Sequence, residues 1–191
     1  FDAQILNAHP VVLGSPLKSK YNKIKRIGTH AHFVKWCQGN TGFPIVDAGM
    51  RELNNTGYMH NRARLIVASF LIKTLLVDWQ KGEKYFATKL VDYDPASNNG
   101  NWQWVASTGA DSQPYFRIFN PWTQSKDHDP DALYIKKWVP ELKGVSAKYI
   151  HRWDECVGAD EVKDIHYPKP IVDYKEQREK ALKMYNRILS K

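Results

Sequence analysis

Cysteine is nearly absent: Cys37 and Cys156 are the only two in 191 residues. Two thiols cannot build the disulfide framework of a small secreted domain, and they fit a reducing compartment. Long hydrophobic runs are missing as well. The longest uncharged apolar stretch, residues 65–72, ends at Lys73 and falls far short of the roughly 20 residues that cross a bilayer. The opening FDAQILNAHP has no basic stretch followed by an apolar core and a cleavage site, so it does not read as a signal peptide. The expectation is an intracellular protein, with cytoplasm and nucleus both open. No alternation of polar and apolar residues lasts long enough to build a sheet. The nucleophile elbow, the P-loop and the dinucleotide glycine fingerprint are all lacking, which argues against the enzyme designs built on them. His30 and His32 lie near Cys37, but zinc needs a third or fourth ligand at suitable spacing and none follows. Any chemistry here belongs to a bound cofactor rather than to a protein nucleophile.

Acidic residues are outnumbered, 20 Asp and Glu against 28 Lys and Arg, for a net charge of +8. A polyanion is a fair partner for such a surface, although many basic domains are merely soluble. The apolar spacing predicts an all-α chain. Pro44 suits a first helical position ahead of Ile45, Val46, Met50 and Leu53, with Gly57 as the stop. Residues 59–79 read as one long helix, apolar on most sides and therefore central. Gly82 starts a third helix that carries Tyr85, Phe86 and Leu90. Shorter helices are expected over 131–138 and 146–155, and Asp173 caps a last, charge-rich helix running to about Leu189.

Residues 92–119, DYDPASNNGNWQWVASTGADSQPYFRIF, do not share that periodicity. They crowd carboxylates, adjacent amides, two indoles one residue apart and an arginine between aromatics into one stretch. Indoles are usually packing residues, and Asn98, Asn99 and Gly100 read most cheaply as a turn in which Gly takes φ > 0. Asp92 and Asp94 suit either acid–base work or a loop that pairs with a neighbouring helix. Taken together the mixture suits a polar, planar ligand beside a surface on which an unstacked base could lie.

The run from residue 36 to residue 121, with KKWVPEL after it, resembles the flavin-binding domain of the DNA photolyase and cryptochrome family. Within that family the Met59-His60-Asn61-Arg62 stretch and the paired tryptophans look most like class I cyclobutane pyrimidine dimer photolyases. The resemblance is strongest over residues 36–142. It implies that residues 1–191 form the carboxyl-terminal half of the helical FAD-binding domain, without the antenna domain and the segment that binds the FAD diphosphate. It further implies light-driven repair of pyrimidine dimers in DNA by an electron from reduced FAD, a lyase reaction that needs no protein nucleophile. An upstream photolyase fragment would complete the site. A cryptochrome-type photoreceptor and an inert, basic DNA-binding remnant are the other readings.

Carried over residue by residue, the resemblance puts Tyr58, Asn61, Arg64, Asp92, Asp94 and Asn98 at the flavin. Arg64 is expected to form a buried pair with Asp92, and Asn98 is the amide beside flavin N5. Trp102 and Trp79 match the inner and middle members of the tryptophan chain that feeds electrons to photo-oxidised flavin. The third, surface member is missing from KIKRIGTHAH, where Tyr21 is a possible substitute and Arg26 is not. Arg62, Leu65, Trp104 and Arg117 match the DNA side, with Leu65 where a methionine is usual. Arg117 could equally support packing between Phe116 and Phe119. Tyr93, where a glycine is usual, and Pro95 are further departures.

Overall fold

The computed structural model describes residues 2–189, and among these there is no strand. Eleven α-helices follow one another: α1 Asp2–Ala8, α2 His30–Gln38, α3 Pro44–Thr56, α4 Asn61–Ser69, α5 Trp79–Lys89, α6 Pro95–Ala106, α7 Pro121–His128, α8 Leu133–Trp138, α9 Ala147–Ile150, α10 Trp153–Cys156 and α11 Tyr174–Leu189. Among the described residues no helix is long and apolar enough to cross a membrane.

Local chemistry sets most of the boundaries. Side chains at the first helical turn accept otherwise unpaired backbone N–H groups: Thr29 from His32, Asp78 from Gln80, Asp94 from Ser97, Asn120 from Trp122 and Asp173 from Glu176. Pro44 opens α3, and Gly57 closes it at φ 70°, where a side chain would be strained. The core gathers around α3 and α4, with Met50, Leu53, Met59, Val67, Phe70, Leu71, Ile72 and Leu75 all fully buried. Asp47 is buried among them but well supplied with donors. It accepts from Thr41 N at 2.8 Å, Thr41 Oγ1 at 2.6 Å, Gly42 N at 3.0 Å and the Tyr167 hydroxyl. Those bonds offset much of the cost of burying a carboxylate and tie the 165–170 region to α3.

Five expectations are corrected. The 59–79 run is not one helix: α4 passes into a π-turn, Phe70–Thr74, the chain then bends with Leu76 at φ 57°, and α5 starts afresh at Trp79 rather than at Gly82. Asn98, Asn99 and Gly100 form no turn but lie inside α6, which occupies 12 residues of the supposed loop. The 146–155 stretch divides into α9 and α10, while the helix expected over 131–138 begins at Leu133, where Asp129 rather than Asp131 accepts from Tyr134 N and Ile135 N.

Candidate functional site

Helices α4, α5 and α6 and the short connection after α5 surround a cavity of about 120 Å³. Asn61, Arg64 and Leu65 line it from α4, Asp92 and Asp94 from the connection, and Asn98 and Trp102 from α6. Seven of the residues singled out in the sequence therefore meet at one wall. Asn61, Leu65 and Asn101 also border a second, more open cavity of about 320 Å³, where Trp104 stands. The two indoles, two positions apart on α6, thus serve different spaces. Trp102 is 2% exposed, and Trp104 is only partly buried.

Close approach of α5 and α6 places Trp102. A Cβ at Gly82 would lie 2.2 Å from Trp102 Cη2, so only a glycine lets the indole approach α5 this closely. Edge contacts hold its remaining sides, with Phe86 at 5.0 Å and Trp36 at 6.2 Å between ring centroids. Trp36 was passed over in the sequence. It is wholly buried, and its indole N–H donates to Val67 O at 3.0 Å.

Arg64 Nη2 reaches Asp92 Oδ2 at 2.8 Å while its Nε donates to Met59 O at 2.6 Å. The expected burial of this pair is not found: the two side chains are 26% and 46% exposed, and the pair forms a rim. Such a pair contributes about 1 kcal/mol at most to stability; its geometric effect is to fix Asp92 at the cavity mouth. Asp94 caps α6, and the Ser97 backbone N–H holds its carboxyl below the usual range. Asn98 donates through Nδ2 to Glu83 O at 3.1 Å and to Glu83 Oε1 at 3.2 Å. Glu83 is itself buried, and that burial raises its pKa against the lowering effect of the Asn98 bond. No sequence signal marked it, since a glutamate on a helix normally faces water.

The remaining candidates lie apart from this wall. Tyr58 is exposed, with its ring 5.4 Å from the Arg64 guanidinium carbon, and it flanks the rim without lining the cavity. Arg62 faces the other side of α4, toward a cleft of about 250 Å³ shared with His60 and His128. Trp79 is buried under a fourth depression beside Tyr21 and Arg26. Arg117 is exposed, and its carbonyl accepts from Lys73 Nζ at 3.0 Å.

The family model for the FAD-binding domain of DNA photolyase matches residues 1–187. The chain belongs to this family. A deoxyribodipyrimidine photo-lyase of Vibrio cholerae is 55% identical over 154 residues, which are 80% of this chain and 32% of that protein. Among solved structures, a bacterial class III photolyase from Agrobacterium tumefaciens superposes with a TM-score of 0.94 at 46% identity, covering 100% of this chain and 41% of that one. A Synechocystis cryptochrome gives 0.88 at 37% identity, with 96% and 39% covered. The chain therefore spans about a third to two fifths of the length of these relatives.

The residues present fit part of the cofactor that the family binds. Phe86, Leu90, Trp102 and Val105 offer apolar surface, and Asn61, Asp94, Ser97, Asn98 and Asn101 offer polar edges, which is the mixture a flat, polar heterocycle needs. A diphosphate is not provided for on this wall. Its one arginine, Arg64, is already engaged by Asp92.

Proposed function

We propose that this chain supplies one wall of the FAD and lesion site of an enzyme that repairs cyclobutane pyrimidine dimers in DNA with blue light. One observation carries the reading. A cavity edged by Asn61, Arg64, Asp92, Asp94, Asn98 and Trp102 adjoins, across Asn61, Leu65 and Asn101, the cavity that holds Trp104. A flavin ring and the extruded pyrimidine dimer of the lesion would then lie side by side. Reduced FAD, when bound, supplies the electron that opens the dimer and accepts it back.

The chain's own residues have simpler tasks. Asn61, Asp94 and Asn98 orient the ring through its polar edge, while Phe86, Leu90 and Trp102 exclude water from its face. Trp104 offers a stacking surface to an unstacked base, and Arg62 and Arg117 hold phosphates at the rim. The small volume and the lack of a diphosphate cradle support a second wall made by residues outside these 191. An upstream fragment of the same kind of enzyme is the partner of choice.

Co-expression of the chain with its upstream coding sequence tests the proposal. Purified complex should be yellow, with a flavin absorption spectrum, and should reverse thymine dimers in an oligonucleotide under blue light. A colourless complex would overturn it, and flavin binding without repair would favour a photoreceptor of the cryptochrome kind.

A further inference from the structure

Lys73 is a buried cation that the flavin cavity does not use. Among the described residues no carboxylate lies within ion-pair distance of its Nζ, and the charges that act on it, Arg26 and Arg117, are of its own sign. A buried ammonium without a counter-charge is costly, and an apolar side chain would fill the space more cheaply. What the ammonium has instead is two oxygen partners on two separate parts of the chain. Nζ donates to Ser107 Oγ at 3.1 Å and to Arg117 O at 3.0 Å, while the Tyr185 ring of α11 covers it with its centroid 5.9 Å away. Ser107 ends α6 at φ 64°, and its N–H bonds Trp104 O at 3.2 Å, so it stands one turn beyond the indole. Arg117 is exposed on the irregular stretch between α6 and α7. Its N–H bonds Pro114 O within that stretch, whereas its carbonyl is held by the core, through Lys73. The next tie, Phe119 N to Ser69 Oγ, is long at 3.4 Å. One ammonium thus joins the end of the helix that bears Trp104 to the main chain of Arg117. It does so from a π-turn, a departure from regular helix that is concentrated at functional sites.

We propose that Lys73 is a positioning residue for DNA, which fixes the spacing between the stacking face of Trp104 and the guanidinium of Arg117 so that an unstacked base and a nearby phosphate are engaged together. This rests on the DNA reading above. Two contacts to one ligand gain when they are held at the right separation before it arrives, because their ordering is then complete before binding begins. Removing the ammonium leaves both side chains in the protein and takes away their common anchor.

A double-mutant cycle in the flavin-competent complex tests this, with fluorescence anisotropy on a dimer-containing duplex over a range of salt. Lys73→Met should weaken binding about tenfold, the equivalent of one ordinary hydrogen bond. It should also lower the slope of log affinity against log salt by about 1, as Arg117→Ala does. The combined variant should lose less affinity than the product of the two single effects; full additivity would mean that the residues act independently and would overturn the proposal. Deuterium exchange of the same complex without DNA reads the anchor directly. Backbone amides of residues 115–119 should exchange about tenfold faster in Lys73→Met, while those of α3 keep their native rates. Unchanged exchange in that stretch would overturn the proposal, and so would faster exchange with DNA binding intact. If Arg117→Ala were equally without effect on DNA, the rim assignment of Arg117 would fall as well; an effect in Arg117→Ala alone would overturn only the role of Lys73. Where Lys73→Met does not assemble, Ser107→Gly decides, since glycine suits φ 64° and removes one arm of the anchor. Affinity for the damaged duplex should then drop about threefold with flavin content unchanged. Native affinity in Ser107→Gly would overturn the proposal.

Discussion

A single buried lysine shows how far one residue can depart from its usual behaviour. Lys73 is fully buried on the π-turn after α4, where Nζ donates to Ser107 Oγ at 3.1 Å and to Arg117 O at 3.0 Å. Burial, joined by the nearby charges of Arg26 and Arg117, lowers its pKa to about 7. The sign of the linkage follows. Between about pH 7 and the ordinary value of 10.5 the unfolded chain holds a proton that the folded chain has released, so stability rises with pH across that window. Below pH 7 both states are charged and the full penalty applies. Lys73→Met keeps the stem and removes the titration. Thermal unfolding from pH 6 to pH 9 should show native stability climbing relative to the variant, by as much as a few kcal/mol, and parallel curves would show that the lysine does not titrate in this range.

At the level of elements, the contact of α5 with α6 determines where Trp102 lies, and Gly82 permits it. Gly82→Ala places a methyl 2.2 Å from Cη2 and 2.5 Å from Cζ3 of Trp102, and 2.6 Å from Leu71 Cδ2. None of these neighbours is the loose end of a flexible chain, so the helices must part or the indole must turn. A loss of roughly 1–3 kcal/mol in urea unfolding is expected, together with weaker FAD retention in the complex; unchanged stability would mean that the ring relocates freely. α6 itself was the element hardest to read from the sequence. A start signal was present, with Asp94 as cap and Pro95 at the first position, but the stretch was read as a loop. The continuation of α6 through Asn98, Asn99 and Gly100 was not visible, because adjacent amides before glycine ordinarily satisfy themselves in a turn. In the fold those amides find distant partners: Asn98 bonds Glu83, Asn99 donates to Val12 O, and Gln103 accepts from Leu17 N and donates to Val12 O. Tertiary hydrogen bonds thus override local preference, and polar residues face inward where a periodicity search expects apolar ones. By contrast α3, with apolar spacing and both end signals, was legible throughout. The break before α5 was missed because residues 65–77 are apolar on most sides, so no face could be told from another; the cap at Asp78 was the available sign. The carboxylates and amides of the cavity were legible through family resemblance, whereas buried Glu83 and Trp36 could be found only from their contacts.

Over the whole molecule, the net charge of +8 turns the DNA proposal into a measurement. Cations that neutralise backbone phosphates release counterions, so affinity falls with salt in proportion to their number. Arg62 and Arg117 have no carboxylate partner within ion-pair distance among the described residues, which leaves both free for phosphate. Arg62 opens on a cleft with His60 and His128, on the far side of α4 from the cavity of Trp104. A strand that inserts its lesion beside Trp104 could pass its backbone over the first turn of α4. Fluorescence anisotropy with a dimer-containing duplex, repeated over a range of salt, distinguishes the two kinds of contact. Arg62→Ala should weaken damaged and undamaged DNA alike and reduce the slope of log affinity against log salt by about 1. Trp104→Ala should leave the slope unchanged and weaken the damaged duplex selectively, by about 1–3 kcal/mol. Lys180, paired with Glu176 at 2.7 Å on the outer helix α11, supplies the control, and Lys180→Ala should alter neither quantity. If Lys180→Ala matched Arg62→Ala, binding would reflect net charge alone and the rim assignment of Arg62 would fall.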